Sequence, residues 1–144
     1  MSGQGMQASG RGVEPIRVLV VDDHPVFAEM LSMAISSDPT FDCVGHAQSA
    51  FDAYAMVAEL RPEVVTMDLQ MPQVDGIAAT AHLMAHHPDL LILILTSHSL
   101  RGRMDAVRES GAVGVIPKDG SMGTILTAIG SARRDTFQLA PGIT

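Results

Sequence analysis

Apolar runs alternate along this chain with amphipathic stretches. Ile16-Arg17-Val18-Leu19-Val20-Val21 is β-branched, nearly continuous, and ends at Asp22-Asp23. A short run of this kind reads as a strand covered on both faces. Asp23 or His24 can cap the helix that follows, and Pro25 suits its first position. Val26, Phe27, Met30, Leu31, Ala34 and Ile35 then repeat at helical spacing until Asp38-Pro39. Phe41 to His46 predicts a second strand. Ser49 with Asp52 looks like a capping box for a helix carrying Ala53, Met56, Val57 and Leu60, which Pro62 ends. Val64 to Met67 predicts a third strand ending at Asp68, and a turn through Pro72 and Gly76 leads to a helix from Ile77 to His86. Leu90 to Leu95 is the most hydrophobic strand and ends at Thr96. A helix follows from Arg103 to Glu109, then a short strand from Val113 to Ile116 that ends at Pro117-Lys118. The last helix starts near Ser121, with Met122, Ile125, Leu126 and Ile129 as its stripe.

Five strand–helix units in strict alternation predict an α/β fold: a doubly wound parallel sheet with helices on both faces and right-handed crossovers. The pattern divides the chain into a disordered tail over residues 1–15, an ordered domain over 16–134, and a linker or C-terminal tail over 135–144. Residues 1–14 lack the apolar segment of a secretory signal, and Leu90 to Leu95 is far short of the ~20 residues a spanning helix needs. The cytoplasm is the expected compartment.

Composition narrows the picture. Of 144 residues, 47% are hydrophobic and only 3% aromatic, so the core is aliphatic. The net charge of −7 argues against direct binding of nucleic acid or an anionic membrane by bulk charge. The one cysteine, Cys43, excludes an internal disulfide and a Cys-cluster zinc site, and reads as a small core residue. His82 and His86 have the spacing of a helical zinc pair, but a solvated helix end is the better reading of them. Arg101 and Arg103 could meet an acidic partner, but a solvated turn is the better reading of them. Met122, Ile125 and Leu126 suit the core or a homodimer face, and both stay open.

In an open α/β sheet, ligands bind beyond the carboxyl ends of the strands. This sequence places Asp22 and Asp23 after the first strand, Asp68 after the third, Thr96 and Ser97 after the fourth and Lys118 after the fifth. Carboxylates held at ~4 Å repel by about 4 kcal/mol per pair at an effective dielectric of 20. One ammonium does not offset three of them, whereas Mg²⁺ suits such a site, taking one or two carboxylates plus waters and phosphate oxygens. There is no Walker-type glycine loop, so a bound nucleotide is not expected. The phosphoryl group is better placed on a side chain, with Asp68 the nucleophile. Thr96 and Lys118, the only lysine in the chain, are placed to contact its oxygens.

Four blocks carry a resemblance. Val20-Val21-Asp22-Asp23-His24, Met67 to Gly76, Ile94-Leu95-Thr96-Ser97 and Gly111 to Asp119 together resemble a two-component response-regulator receiver domain. The Asp-His-Pro opening and the Lys-Asp ending look most like the subfamily joined to a LuxR-type (NarL/FixJ-like) helix-turn-helix. The resemblance implies a flavodoxin-like (βα)5 sheet with strand order 2-1-3-4-5. It implies Asp68 as phosphoacceptor from a sensor histidine kinase, Asp22, Asp23, Asp68 and the Gln70 carbonyl around Mg²⁺, and Thr96 and Lys118 on the phosphoryl oxygens. Gln70 and His98 are similar to positions that tune self-dephosphorylation. The implied output is transcription regulation through a DNA-binding domain, for which the residues after Arg134 are too few. This sequence departs from the pattern at Val115, where the family has an aromatic, and at Pro117 and Asp119, which flank the lysine. Two other readings are a stand-alone receiver acting by protein–protein contact without phosphorylation, and an aspartyl-phosphate hydrolase. The hydrolase class wants a second carboxylate two residues after its nucleophile, where this chain has Gln70.

Overall fold

The computed structural model describes residues 14–97, 100 and 102–140; the tail expected over residues 1–15 falls almost wholly outside them, as do His98 and Arg101. Strands β1 (Ile16–Val21), β2 (Phe41–Ala47), β3 (Val64–Asp68), β4 (Leu91–Thr96) and β5 (Gly114–Pro117) alternate with helices α1 (Pro25–Ser36), α2 (Ala50–Leu60), α3 (Gly76–His86), α4 (Met104–Glu109) and α5 (Met122–Gly130). The strands form one parallel sheet in the order β2-β1-β3-β4-β5, and a sixth strand, β6 (Gln138–Leu139), extends it beyond β5.

Both faces of the sheet are covered because its strands are apolar on both. Leu19, Val21, Val65, Met67, Ile92, Ile94 and Val115 pack on one side with the buried residues of α2, α3 and α4. Val18, Val20, Val64, Leu93, Leu95 and Ile116 pack on the other with α1 and α5. Such two-sided burial is what a continuous run such as Leu91–Leu95 encodes. Helix α1 departs from the expected stripe. Ala28, Leu31 and Ile35 are buried, while Val26 and Met30 are exposed on the opposite side. Leu31 and Ile35 of the expected stripe are buried and Phe27 packs against the same core, so only its Val26–Met30 edge is displaced. Cys43 is only half-buried, against the α1–α5 core.

The start signals work locally. Ser49 Oγ accepts from the Asp52 amide at 3.1 Å, and Ser121 Oγ from the Thr124 amide at 3.1 Å. Asp75 caps α3 by accepting from the Ala78 amide at 2.9 Å. Just inside that cap, Gly76 passes under the end of β3, where an added Cβ would lie 2.2 Å from the Asp68 carbonyl oxygen. Only glycine permits that approach.

The segment expected as a linker is built onto the domain as far as Ala140. The Arg134 guanidinium donates to the carbonyls of Gly111 and Leu90, and Arg108 lies 4.1 Å over the Phe137 ring. The Gln138 amide donates to the Val113 carbonyl at 2.9 Å, which docks β6 on the edge of β5. Gly114 leaves room for it: a Cβ there would come within 2.8 Å of the Gln138 carbonyl oxygen.

Candidate functional site

The carboxyl ends of β1, β3, β4 and β5 open on one rim, and the chain reverses its direction of winding between β1 and β3. Each candidate residue is held there by backbone bonds. The Asp22 amide donates to the Ala47 carbonyl at 3.0 Å, continuing the β1–β2 ladder past Val21. Asp68 is the last residue of β3, and the next amide, of Leu69, donates to the Leu95 carbonyl at 2.9 Å. Thr96 ends β4 and is buried. Its register partner is Pro117, and the Lys118 amide donates to the Thr96 carbonyl at 2.8 Å, the regular bond of a parallel ladder.

The side chains converge. Lys118 Nζ lies 2.8 Å from Asp22 Oδ2 and 3.6 Å from Asp68 Oδ1. Its own position is packed, 4.5 Å over the Phe27 ring. One ligand atom from each of Asp22, Asp23, His24 and Asp68 falls within 4.8 Å of all the others. Asp22 and Asp68 are 1% and 3% exposed, so these charges are held away from water. Asp68 Oδ1 accepts from the Gln70 amide at 3.3 Å, but Asp68 Oδ2 and Asp23 Oδ1 are buried with no hydrogen bond among the described residues.

This arrangement raises the Asp68 pKa to about 7: burial contributes most, then the Asp22 charge, with Lys118 opposing. A carboxyl so displaced, in a cleft, beside its own kind and a lysine, is a candidate for chemistry. Three carboxylates with unmet oxygen lone pairs suit a hard divalent cation, which prefers oxygen donors. The residues present fit such an ion.

Sequence reasoning brought Asp22, Asp23, Asp68, Thr96 and Lys118 to this rim, and the structure places all five on it. It missed His24, read only as a helix cap. The His24 side chain makes no cap bond, and its Nδ1 stands 3.0 Å from Asp22 Oδ1. A histidine directly after an acidic pair at a strand end is the signal that was available. His82 and His86 stand well apart from this rim on α3; His82 stacks on Tyr54 at 4.0 Å. Arg103, expected in a solvated turn, pairs with Asp75 at 2.7 Å. No helix of the described residues is long and apolar enough to cross a membrane.

Comparison with known proteins gives a consistent result. The family model described as "Response regulator receiver domain" matches residues 18–130. DegU, a transcriptional regulatory protein of Brevibacillus brevis, is 27% identical over 129 residues, covering 90% of this chain and 55% of DegU. A protein-glutamate methylesterase/protein-glutamine glutaminase of Vibrio vulnificus is 40% identical over 105 residues, covering 72% of this chain and 30% of that protein. The chain therefore spans about half or less of these relatives. The crystal structure of a LuxR-family two-component response regulator from Aurantimonas superposes with a TM-score of 0.83 at 31% identity, covering 90% of this chain and 92% of that one.

Proposed function

Because the chain belongs to the response-regulator receiver family, we propose that it takes a phosphoryl group from a sensor histidine kinase onto Asp68. The observation that carries this reading is the buried Asp68 carboxylate, with Lys118 Nζ 3.6 Å from one oxygen and, among the described residues, no hydrogen bond on the other. An Asp68 oxygen attacks the phosphorus of the partner's phosphohistidine; the new P–O bond forms as the P–N bond breaks, and the histidine nitrogen leaves with the electron pair and takes a proton. Beyond the Asp68 nucleophile itself, positioning and charge compensation dominate.

The residues of this rim divide that work. Lys118 meets a phosphoryl oxygen with a compact ammonium already aimed into the pocket. Thr96, beside it at the end of β4, offers its hydroxyl to another. Asp22, Asp23, Asp68 and the Gln70 carbonyl would hold Mg²⁺, which supplies charge neutralisation of the transferring group. Covered by the two apolar layers of the sheet, Asp68 is reached only from the rim, which limits premature hydrolysis.

DegU and the Aurantimonas regulator support a transcriptional output, exerted on DNA by a region outside these residues; a cytoplasmic compartment goes with that reading. The methylesterase likeness is carried by 105 residues and 30% of that protein, so the shared part is read as a receiver and no esterase activity is assigned to this chain.

Intact-mass measurement after incubation with acetyl phosphate and Mg²⁺ tests the proposal. One phosphoryl adduct per chain is expected in wild type and none in Asp68→Asn. Equal modification of the variant overturns the assignment of the nucleophile, and many turnovers without an adduct favour the hydrolase.

A further inference from the structure

His24 Nδ1 sits where the three carboxylates meet: 3.0 Å from Asp22 Oδ1, 3.3 Å from Asp23 Oδ1 and 3.4 Å from Asp68 Oδ2. The backbone aims it there. His24 is the extended N-cap of α1, its own amide donates to Asp22 Oδ1 at 2.8 Å, and Pro25 fixes the residue that follows. The ring side chain is 60% exposed, so it stands at the mouth rather than in the core. Lys118 Nζ lies 3.4 Å from the same nitrogen. In the neutral tautomer protonated on Nε2, Nδ1 presents a lone pair to this ammonium and to any cation held among the three carboxylates. That lone pair then shares a focus with two buried oxygens, Asp68 Oδ2 and Asp23 Oδ1, that carry no hydrogen bond among the described residues.

We infer that His24 makes this pocket a mixed oxygen–nitrogen site, tuned toward borderline cations such as Mn²⁺ and Zn²⁺ relative to Mg²⁺. The inference rests on the reading that the pocket takes a divalent cation. Carboxylates serve all three ions. An imidazole nitrogen adds little for Mg²⁺, a hard oxygen-seeking ion, and more for ions further along the first-row affinity order. The selectivity of the site is thus set by a residue of α1 and not by its acids alone. It deepens the proposed function by tying metal identity to one side chain at the pocket mouth.

The test uses Mg²⁺, Mn²⁺ and Zn²⁺ titrations followed by calorimetry, on the full chain and on its His24→Ala variant. Both proteins carry His82→Ala, which removes the surface His82–His86 pair as a competing Zn²⁺ site. His24→Ala should weaken Mn²⁺ and Zn²⁺ binding by about tenfold and Mg²⁺ binding by less than about twofold. Electron spin-echo spectra of the Mn²⁺-loaded protein should show nitrogen coupling that His24→Ala abolishes. That measurement does not depend on any activity or on how the variant's stability changes. Equal weakening for all three ions, or an absent nitrogen coupling, overturns the inference and leaves His24 as a hydrogen-bond donor to Asp22. If Mg²⁺ binds normally in that case, the phosphoacceptor reading survives. If no divalent ion binds wild type at all, both readings fall.

Discussion

Asp68 and Asp75 lie on either side of one loop, and each faces a cation. Asp75 has the shorter ion pair, 2.7 Å to Arg103, against 3.6 Å from Asp68 to Lys118. Yet the two carboxyls are displaced in opposite directions. Asp68 is raised to about 7 by burial and the Asp22 charge despite its lysine. Asp75 is lowered: partial burial works against this, but the Ala78 amide and Arg103 together outweigh it. Its side chain is 38% exposed, where that of Asp68 is 3% exposed. The proximity of a cation therefore does not decide a carboxylate's state; the water and the other acids around it do. One aspartate ties a loop to a helix. The other is kept short of compensation, which is the condition for recruiting a cation and a phosphoryl group.

The largest effect that sharpens this contrast comes from Lys118→Ala. Removing one partner from a buried charge cluster leaves the acids uncompensated, and we expect a loss of about 3–5 kcal/mol in metal-free protein by urea unfolding. Mg²⁺ should restore part of it. A loss under about 1 kcal/mol would mean that the ammonium is no better used than a surface charge.

Next comes pH. The folded Asp68 titrates above its ordinary value of 3.8, so its protonated form favours the fold. That contribution is full below 3.8 and is lost as pH rises through about 7. Metal-free wild type should therefore lose stability between pH 4 and 8, and Asp68→Asn should not show this component, gaining of order 2 kcal/mol over wild type at pH 8. The thermal shift given by Mg²⁺ should be larger at pH 8 than at pH 5.5. A metal effect independent of pH would break the link between the raised carboxyl and the cation.

What the sequence made legible follows the same division. The strands were readable because both faces of the sheet are covered, leaving runs such as Leu91–Leu95 without polar interruption. The rim residues were readable because a parallel sheet brings every strand's carboxyl end to one edge. Long-range docking was not. β6 is two residues long, with no periodicity, and depends on Arg134 and Phe137 reaching Gly111 and Arg108. His24 was misread because capping is a local rule and the acids that attract its ring come from two strands. Asp75 went unnoticed as a cap because the turn around it was read from Pro72 and Gly76 alone.

Asp75→Ala comes third. It removes the α3 cap and should cost about 1 kcal/mol. A lowered carboxyl stabilises above its ordinary value of 3.8 and loses that contribution as pH falls, so the penalty of the variant should shrink in acid. This is the reverse of the Asp68 profile.

The smallest effect tests whether burial is truly what separates the two pairs. Arg103→Met deletes the exposed ion pair but leaves the Ala78 amide on Asp75, so the expected loss is about 0.5 kcal/mol. The Asp75 carboxyl, followed by NMR, should titrate higher than in wild type, since one of the three groups that lower it is gone. Salt provides the discrimination. At 1 M ionic strength the Debye length falls to about 3 Å, so the difference between Arg103→Met and wild type should disappear. The Lys118→Ala deficit should largely persist, because buried charges are screened much less than exposed ones. If salt erased both deficits alike, the pocket would be solvent-screened, and the raised titration of Asp68 would need a cause other than burial.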